Sequence, residues 1–206
     1  MIDNNALFKI SYGLYVLTAK ENDFDNGCMT NTVIQQTAQP LTVSVTVNKL
    51  NRTHDMIKNT GVFNVSCLTV ETPFEVVRNF GFQSGSTVDK FRDFKDCRRT
   101  ENGLYAITGC SNAFISGKVK ESFDLGTHTM FLADVTESGV MSAAESLTYG
   151  YYHLHVKPKP ESKPQGKTVW RCKICGYIYE GDPIPADFIC PICKHGAVDF
   201  ERIVNG

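Results

Sequence analysis

Leu41-Thr-Val-Ser-Val-Thr-Val47 alternates apolar and polar positions with a period of two, the spacing of a strand with one buried face. Residues 13–19, 62–68, 113–119 and 129–135 share its richness in β-branched and aromatic side chains, so all five segments are expected as strands. Asn22 to Gly27 collects turn-forming residues between the first two of them. Two stretches break the strand pattern. Residues 53–60 read as a short helix with Gly61 as its C-terminal cap. Thr72-Pro73-Phe74-Glu75 has the form of a capping box with proline at the first helical position, and Gly81 ends that helix. Many strands with few helices predict a mainly β fold, a barrel or a sandwich.

The pattern stops at Lys157. Residues 157–166 hold three prolines and three lysines, a composition that favours extended polyproline II over packing. The predicted organisation is therefore a first domain over 1–156, a semi-rigid linker over 157–166 and a small module over 167–206. A module of about forty residues has little apolar surface to bury, and metal is the expected staple. The chain has 206 residues, a formal net charge of −1 and 42% hydrophobic residues. That balance gives no reason to expect nucleic acid or a membrane surface as partner and argues against disorder. The start lacks a basic, apolar leader, and no apolar run approaches the roughly 18 residues of a membrane helix, so a cytoplasmic protein is expected.

The small module carries the sharpest chemistry. Cys172 and Cys175, then Cys190 and Cys193, form two pairs each separated by two residues, with fourteen residues between them. Two such knuckles make a closed tetrathiolate site for one metal ion, and four soft thiolates suit either Fe or Zn. His195 follows the last cysteine and is not needed as a ligand. Cys28, Cys67, Cys97 and Cys110 show no metal spacing and read as ordinary thiols.

In the first domain no nucleophile-plus-base pattern and no glycine-rich phosphate fingerprint occurs. A polar cluster does: Thr30-Asn31-Thr32 after the first turn, and Asn48 to His54 between a strand and a helix. Exposed N–H groups at a helix start favour an anion, and Lys49, Arg52, Thr53 and His54 can add donors or charge. An ordinary solvated turn with a helix cap explains the same residues. His128 is expected as a structural histidine, and His153 and His155 as neighbours on one strand face.

Trp170 to Asp182 followed by Ala186 to Cys193 closely resembles a rubredoxin, in which aromatics matching Trp170, Tyr177, Phe188 and Phe200 form the core around one iron. The shorter insert between the knuckles is typical of rubredoxin-like modules attached to other redox domains. Residues 6 to about 155 resemble the flavin-reductase family, an FMN-binding split β-barrel. The resemblance rests on Gly27-Cys-Met-Thr-Asn-Thr-Val33, Asn48-Lys49, the Asn51-x-Thr53-His54 turn, Gly81 to Phe91, Thr127-His128 and Tyr149 to Tyr152. It implies that Met29, Thr30, Asn31 and Thr32 face the flavin ring. Asn48, Lys49, Asn51, Thr53 and His54 would bind the ribityl chain and phosphate. Phe80, Gly81, Lys90 and Phe91 belong to a segment that closes over the site, with Lys90 either meeting the phosphate or covering the surface.

The two modules together resemble the high-molecular-weight rubredoxins. That resemblance implies a homodimeric oxidoreductase passing electrons from NADH or NADPH through FMN to iron, and on to a flavodiiron reductase of O2 or NO. Hydride passes directly between stacked rings, so no protein acid or base is needed and no catalytic residue is assigned. Two alternatives stand beside it. One is a flavin reductase that releases reduced flavin. The other is a flavin-binding sensor whose C-terminal module is a zinc ribbon used for docking.

Overall fold

The computed structural model describes residues 3–157, 169–174, 176–181, 183–191 and 195–203. The chain divides into two compact units, Met1–Lys157 and Pro158–Gly206. Beyond Lys157 the expected linker lies outside the described residues.

The first unit opens with a 3-10 turn at Asn4–Lys9 and continues with β1 (Tyr15–Glu21), β2 (Phe24–Thr30), β3 (Val33–Ala38) and β4 (Leu41–Asn48). Helix α1 (Arg52–Thr60), β5 (Val62–Leu68) and α2 (Phe74–Gly81) follow, then the short hairpin of β6 (Cys97–Arg99) and β7 (Tyr105–Ile107). The long strands β8 (Ser111–Asp124) and β9 (His128–Val140) precede α3 (Tyr149–Tyr151), which runs into a π-helical turn at Tyr152–Val156. Seven strands form one sheet in the order β2-β1-β5-β8-β9-β4-β3, antiparallel at every step. The edge strands β2 and β3 are consecutive in the chain and joined only by Asn31 and Thr32. A connection of two residues spans only on the order of 10 Å, so the sheet must curl until its edges lie side by side. The result is a barrel open along one seam.

β1 shows why the unit has two cores. Leu17 and Ala19 point into the barrel with Val43, Val45, Val47, Phe63, Val65 and Phe131, while Val16 points outward to Phe80, Val77, Ile107 and Leu147 beneath α2. The strand is buried on both faces, which its near-continuous apolar run reflects. α1 plugs one barrel end with Met56 and Ile57, and Gly61 caps it in the left-handed region at φ 71°, its N–H reaching Ile57 O at 2.8 Å.

Three local expectations are corrected. The turn is only Asn22-Asp23, with Glu21 paired to Phe24; Asp25, Asn26 and Gly27 belong to β2, where their polarity faces other protein groups instead of solvent. The capping box at α2 does not form: Pro73 is the N-cap, and the Thr72 hydroxyl donates to Thr69 O at 2.7 Å. His153 and His155 lie in the π-helical turn and do not share a face; His153 meets the Tyr149 ring and His155 the Tyr151 ring.

The second unit has a three-stranded sheet, β11 (Ile178–Glu180), β10 (Val169–Cys172) and β12 (Phe200–Ile203), with a 3-10 turn at Ala197–Asp199. Arg171 pairs with Glu201 across the β10–β12 register. Its core is Cys172, Cys190 and Phe200, with Trp170, Tyr177, Tyr179 and Phe188 packed against them.

Candidate functional site

At the barrel seam Met29, Thr30, Asn31 and Thr32 are all half-exposed. Their geometry is fixed from the far side of the seam. The Thr32 hydroxyl donates to Thr46 O at 2.8 Å and lies 3.0 Å from the Thr30 hydroxyl. Its proton is committed to Thr46, so Thr30 is the donor between the two. This ties the end of β2 to β4 two residues before Asn48, bringing together the two polar segments that the sequence singled out. The loop after β4 is turned by Asn48, whose side-chain oxygen accepts from Leu50 N at 2.9 Å, while its carbonyl accepts from Asn51 N at 3.0 Å.

Several expected ligand-facing side chains are already engaged. Lys49 pairs with Asp124 at 2.7 Å and holds that exposed carboxyl below its ordinary range. The Arg52 guanidinium sits over the Phe24 ring, 4.3 Å from its centroid. Thr53 and His54 are buried, Thr53 accepting from Asn26 Nδ2 at 3.1 Å and His54 Nε2 lying 2.8 Å from the Thr129 hydroxyl. Thr53 can offer a ligand its main-chain N–H, whereas His54 N already donates to Asn51 O at 2.9 Å. Asn51, the N-cap of α1, makes no side-chain cap bond.

The segment from Phe80 to Phe91 is welded to β2 instead of forming a loose cover. Phe80 is a core residue, 1% exposed, with its ring 5.4 Å from Phe91 and 5.2 Å from Phe94. A Cβ at Gly27 would lie 3.1 Å from the Phe80 ring, and one at Gly81 3.0 Å from Met29 Cγ, so both glycines permit close approach. Lys90 is corrected most: it is neither on the surface nor aimed at an anion. It is 5% exposed, and its Nζ donates to Gly27 O at 2.8 Å and Phe80 O at 3.2 Å. Burial pushes its pKa down to about 8, with a small opposing effect from Cys28.

Asn26 and Gly85 were not singled out by the sequence. Asn26 is buried, its Oδ1 has no partner among the described groups, and Gly85 passes so close that a Cβ there would lie 2.2 Å from that oxygen. Nothing in the sequence distinguishes this asparagine from the neighbouring turn formers. Cys28, Cys67 and Cys110 have thiol pKa values raised by burial, Cys67 to about 11, which makes them poor nucleophiles. His128 lies beside the seam, paired with Asn48 in register and 2.8 Å from the Thr127 hydroxyl through Nδ1.

In the second unit Cys172 and Cys190 are 1% and 0% exposed in one aromatic cluster. Gly176, at φ 81°, turns the first knuckle, with Gly176 N donating to Cys172 O at 2.9 Å. Cys190 N donates to His195 O at 2.8 Å, closing the second knuckle by main chain. Cys175 and Cys193, the other two expected ligands, lie outside the described residues. The two described thiols, Cys172 and Cys190, are soft donors held in one apolar cluster, a chemistry that suits a thiolate metal site.

Residues 7–158 match the family described as "Flavin reductase like domain". The chain belongs to the flavin reductase-like family. Residues 170–201 match the "Rubrerythrin, rubredoxin-like domain". The chain is 36% identical to the high molecular weight rubredoxin of Moorella thermoacetica, over 98% of its own length and 100% of that protein. It is 40% identical to the ferric-chelate reductase (NAD(P)H) of Archaeoglobus fulgidus, over 82% of this chain and 98% of that one. Among solved structures, the Streptomyces globisporus C-1027 NADH:FAD oxidoreductase SgcE6 in complex with NAD and FAD fragments superposes with a TM-score of 0.62. It is 23% identical, covering 72% of this chain and 90% of that one. The chain is thus an oxidoreductase of the flavin-reductase type joined to a rubredoxin-like domain. Among the described residues no helix is long and apolar enough to cross a membrane.

Proposed function

We propose that this chain takes electrons from NADH or NADPH onto FMN held at the barrel seam and passes them to one iron ion held by Cys172, Cys175, Cys190 and Cys193. The observation that carries this reading is the union in one chain of a flavin-reductase barrel and a four-cysteine rubredoxin-like module. Bound flavin accepts hydride and releases electrons singly, and a tetrathiolate iron changes by one electron. The protein's part is placement. Met29 to Thr32 form the shelf for the ring, with the Thr30–Thr32 hydroxyl pair tying that shelf to the Thr46 main-chain carbonyl. The Asn48 side-chain NH2, the Asn51 side chain and the main-chain N–H groups of Arg52 and Thr53 are the groups left to meet a ribityl chain and phosphate. Lys49 can join them only by leaving Asp124. A nicotinamide ring would lie over the flavin in the same cleft, where water exclusion and alignment supply the catalysis.

In this reading the protein works in the cytoplasm as a homodimer and hands its electrons to a flavodiiron reductase of O2 or NO. A second reading, reduction of a ferric chelate by the barrel alone, is favoured by the 40% identity to the Archaeoglobus enzyme over 82% of this chain. Cofactor analysis of anaerobically purified protein tests the main reading: one FMN and one iron per chain are expected. Zinc in the cysteine site would refute internal transfer to iron and leave a docking module. Cys190→Ser separates the two readings, since chelate reduction by the barrel survives that substitution and transfer to the second unit does not.

A further inference from the structure

Lys90 is the one buried ammonium among the described residues of the barrel, and its hydrogen bonds tie the segment it sits in to β2 and α2. Its Nζ binds the carbonyls of Gly27, on the edge strand β2, and Phe80, in the last turn of α2. Its own carbonyl accepts from Asn79 Nδ2 at 2.9 Å. Phe91, the next residue, stacks on Tyr105 at 4.9 Å and packs against Phe80. Three glycines let these pieces touch: Gly27 under the Phe80 ring, Gly81 against Met29, and Gly85 over Asn26. The carbonyl that the ammonium holds lies two residues before Met29 and three before Thr30, the start of the flavin shelf.

We propose that Lys90 is a positioning residue for the flavin: a clasp that fixes the 80–91 segment on β2 and so sets the height of Met29 to Thr32, without itself touching the cofactor. The inference rests on the flavin reading above. Two neutral carbonyls repay the desolvation of an ammonium poorly, as the downward push on its pKa shows, so Lys90 is a costly way to hold a core together. A lysine kept there at the expense of stability, beside the shelf, is what a site-positioning role predicts and a purely structural role does not.

The test compares the full-length wild type with Lys90→Met and Gly85→Ala, measuring FMN affinity by fluorescence quenching, thermal midpoint, and NADH turnover against FMN concentration. Met keeps the stem's volume and removes the charge. Lys90→Met is expected to raise the FMN dissociation constant roughly 10- to 100-fold, keep or raise the midpoint, and recover turnover at saturating FMN. Gly85→Ala keeps the ammonium, but its methyl group would displace the segment at Asn26, and it is expected to weaken FMN in the same sense. Should Lys90→Met fail to fold, or should its affinity and midpoint fall together, the ammonium is a structural support and the proposal is overturned. It is overturned equally if both variants bind FMN as the wild type does. A wild type that binds no flavin would instead refute the flavin reading itself.

Discussion

Lys90→Met makes a pH-dependent stability prediction that is independent of any flavin. The lysine titrates near its ordinary 10.5 in the unfolded chain and near 8 in the folded one. At roughly 1.4 kcal/mol for each tenfold change in proton affinity, the gap corresponds to about 3 kcal/mol. The sign follows from proton counts. Between pH 8 and 10.5 the unfolded chain holds a proton that the folded chain has released, so this group makes the wild type more stable as pH rises, and below pH 8 its penalty is constant. The titratable neighbour, the Cys28 thiol, is pushed up by burial and is present in both proteins, so subtraction removes most of its contribution. Below pH 8 the variant is relieved of the desolvation penalty but leaves Gly27 O and Phe80 O without this donor, a loss of about 1–3 kcal/mol. The variant is therefore expected to be as stable as the wild type or up to about 2 kcal/mol more stable at pH 7. Its advantage should shrink by about 3 kcal/mol by pH 10.5. Guanidinium unfolding followed by far-UV circular dichroism between pH 6.5 and 10.5 measures this. A difference that does not change across that range would refute the buried-ammonium reasoning.

Other perturbations test other parts. Gly61→Ala should destabilise the barrel by about 1–2 kcal/mol, because φ is 71° although a methyl group there meets nothing, whereas Gly117→Ala should cost more because its Cβ lies 2.5 Å from the fully buried Phe63 ring; thermal midpoints rank the two. Asn64→Leu removes bonds of 2.7 Å to the Thr100 hydroxyl and 2.8 Å from Asn102, cutting the side-chain ties between β5 and the loop of the β6–β7 hairpin. A loss of about 1–3 kcal/mol in chemical denaturation is expected. Cys190→Ser should abolish the ferric-thiolate absorbance and unfold the small unit, which depends on its metal, while NADH oxidation with added FMN continues at the wild-type rate.

Much of this was legible in the chain, for physical reasons that differ by element. β1, β4, β5, β8 and β9 pack against one or both cores, so apolar periodicity announces them. β2 and β3 are the seam edges. β2 carries Asp25, Asn26 and Gly27, which read as a turn because sequence cannot show that Asn26 bonds Thr53 inside the barrel. β3 is exposed along most of its length and has no apolar face to display. Cysteine spacing marks the rubredoxin-like domain because two knuckles of this kind need little beyond the local turn. The segments expected to hold flavin do meet at the seam, but the roles of their side chains were not legible. Lys90, Thr53 and His54 look like ligand donors in sequence, and only packing shows that each is committed inward.

The most direct measurement is an anaerobic titration of the purified protein with NADH, following the flavin and ferric-thiolate bands together. The account predicts that both bleach, with the thiolate band of Cys190→Ser absent and its flavin still reduced. Complete flavin reduction with a ferric-thiolate band that stays oxidised would contradict it.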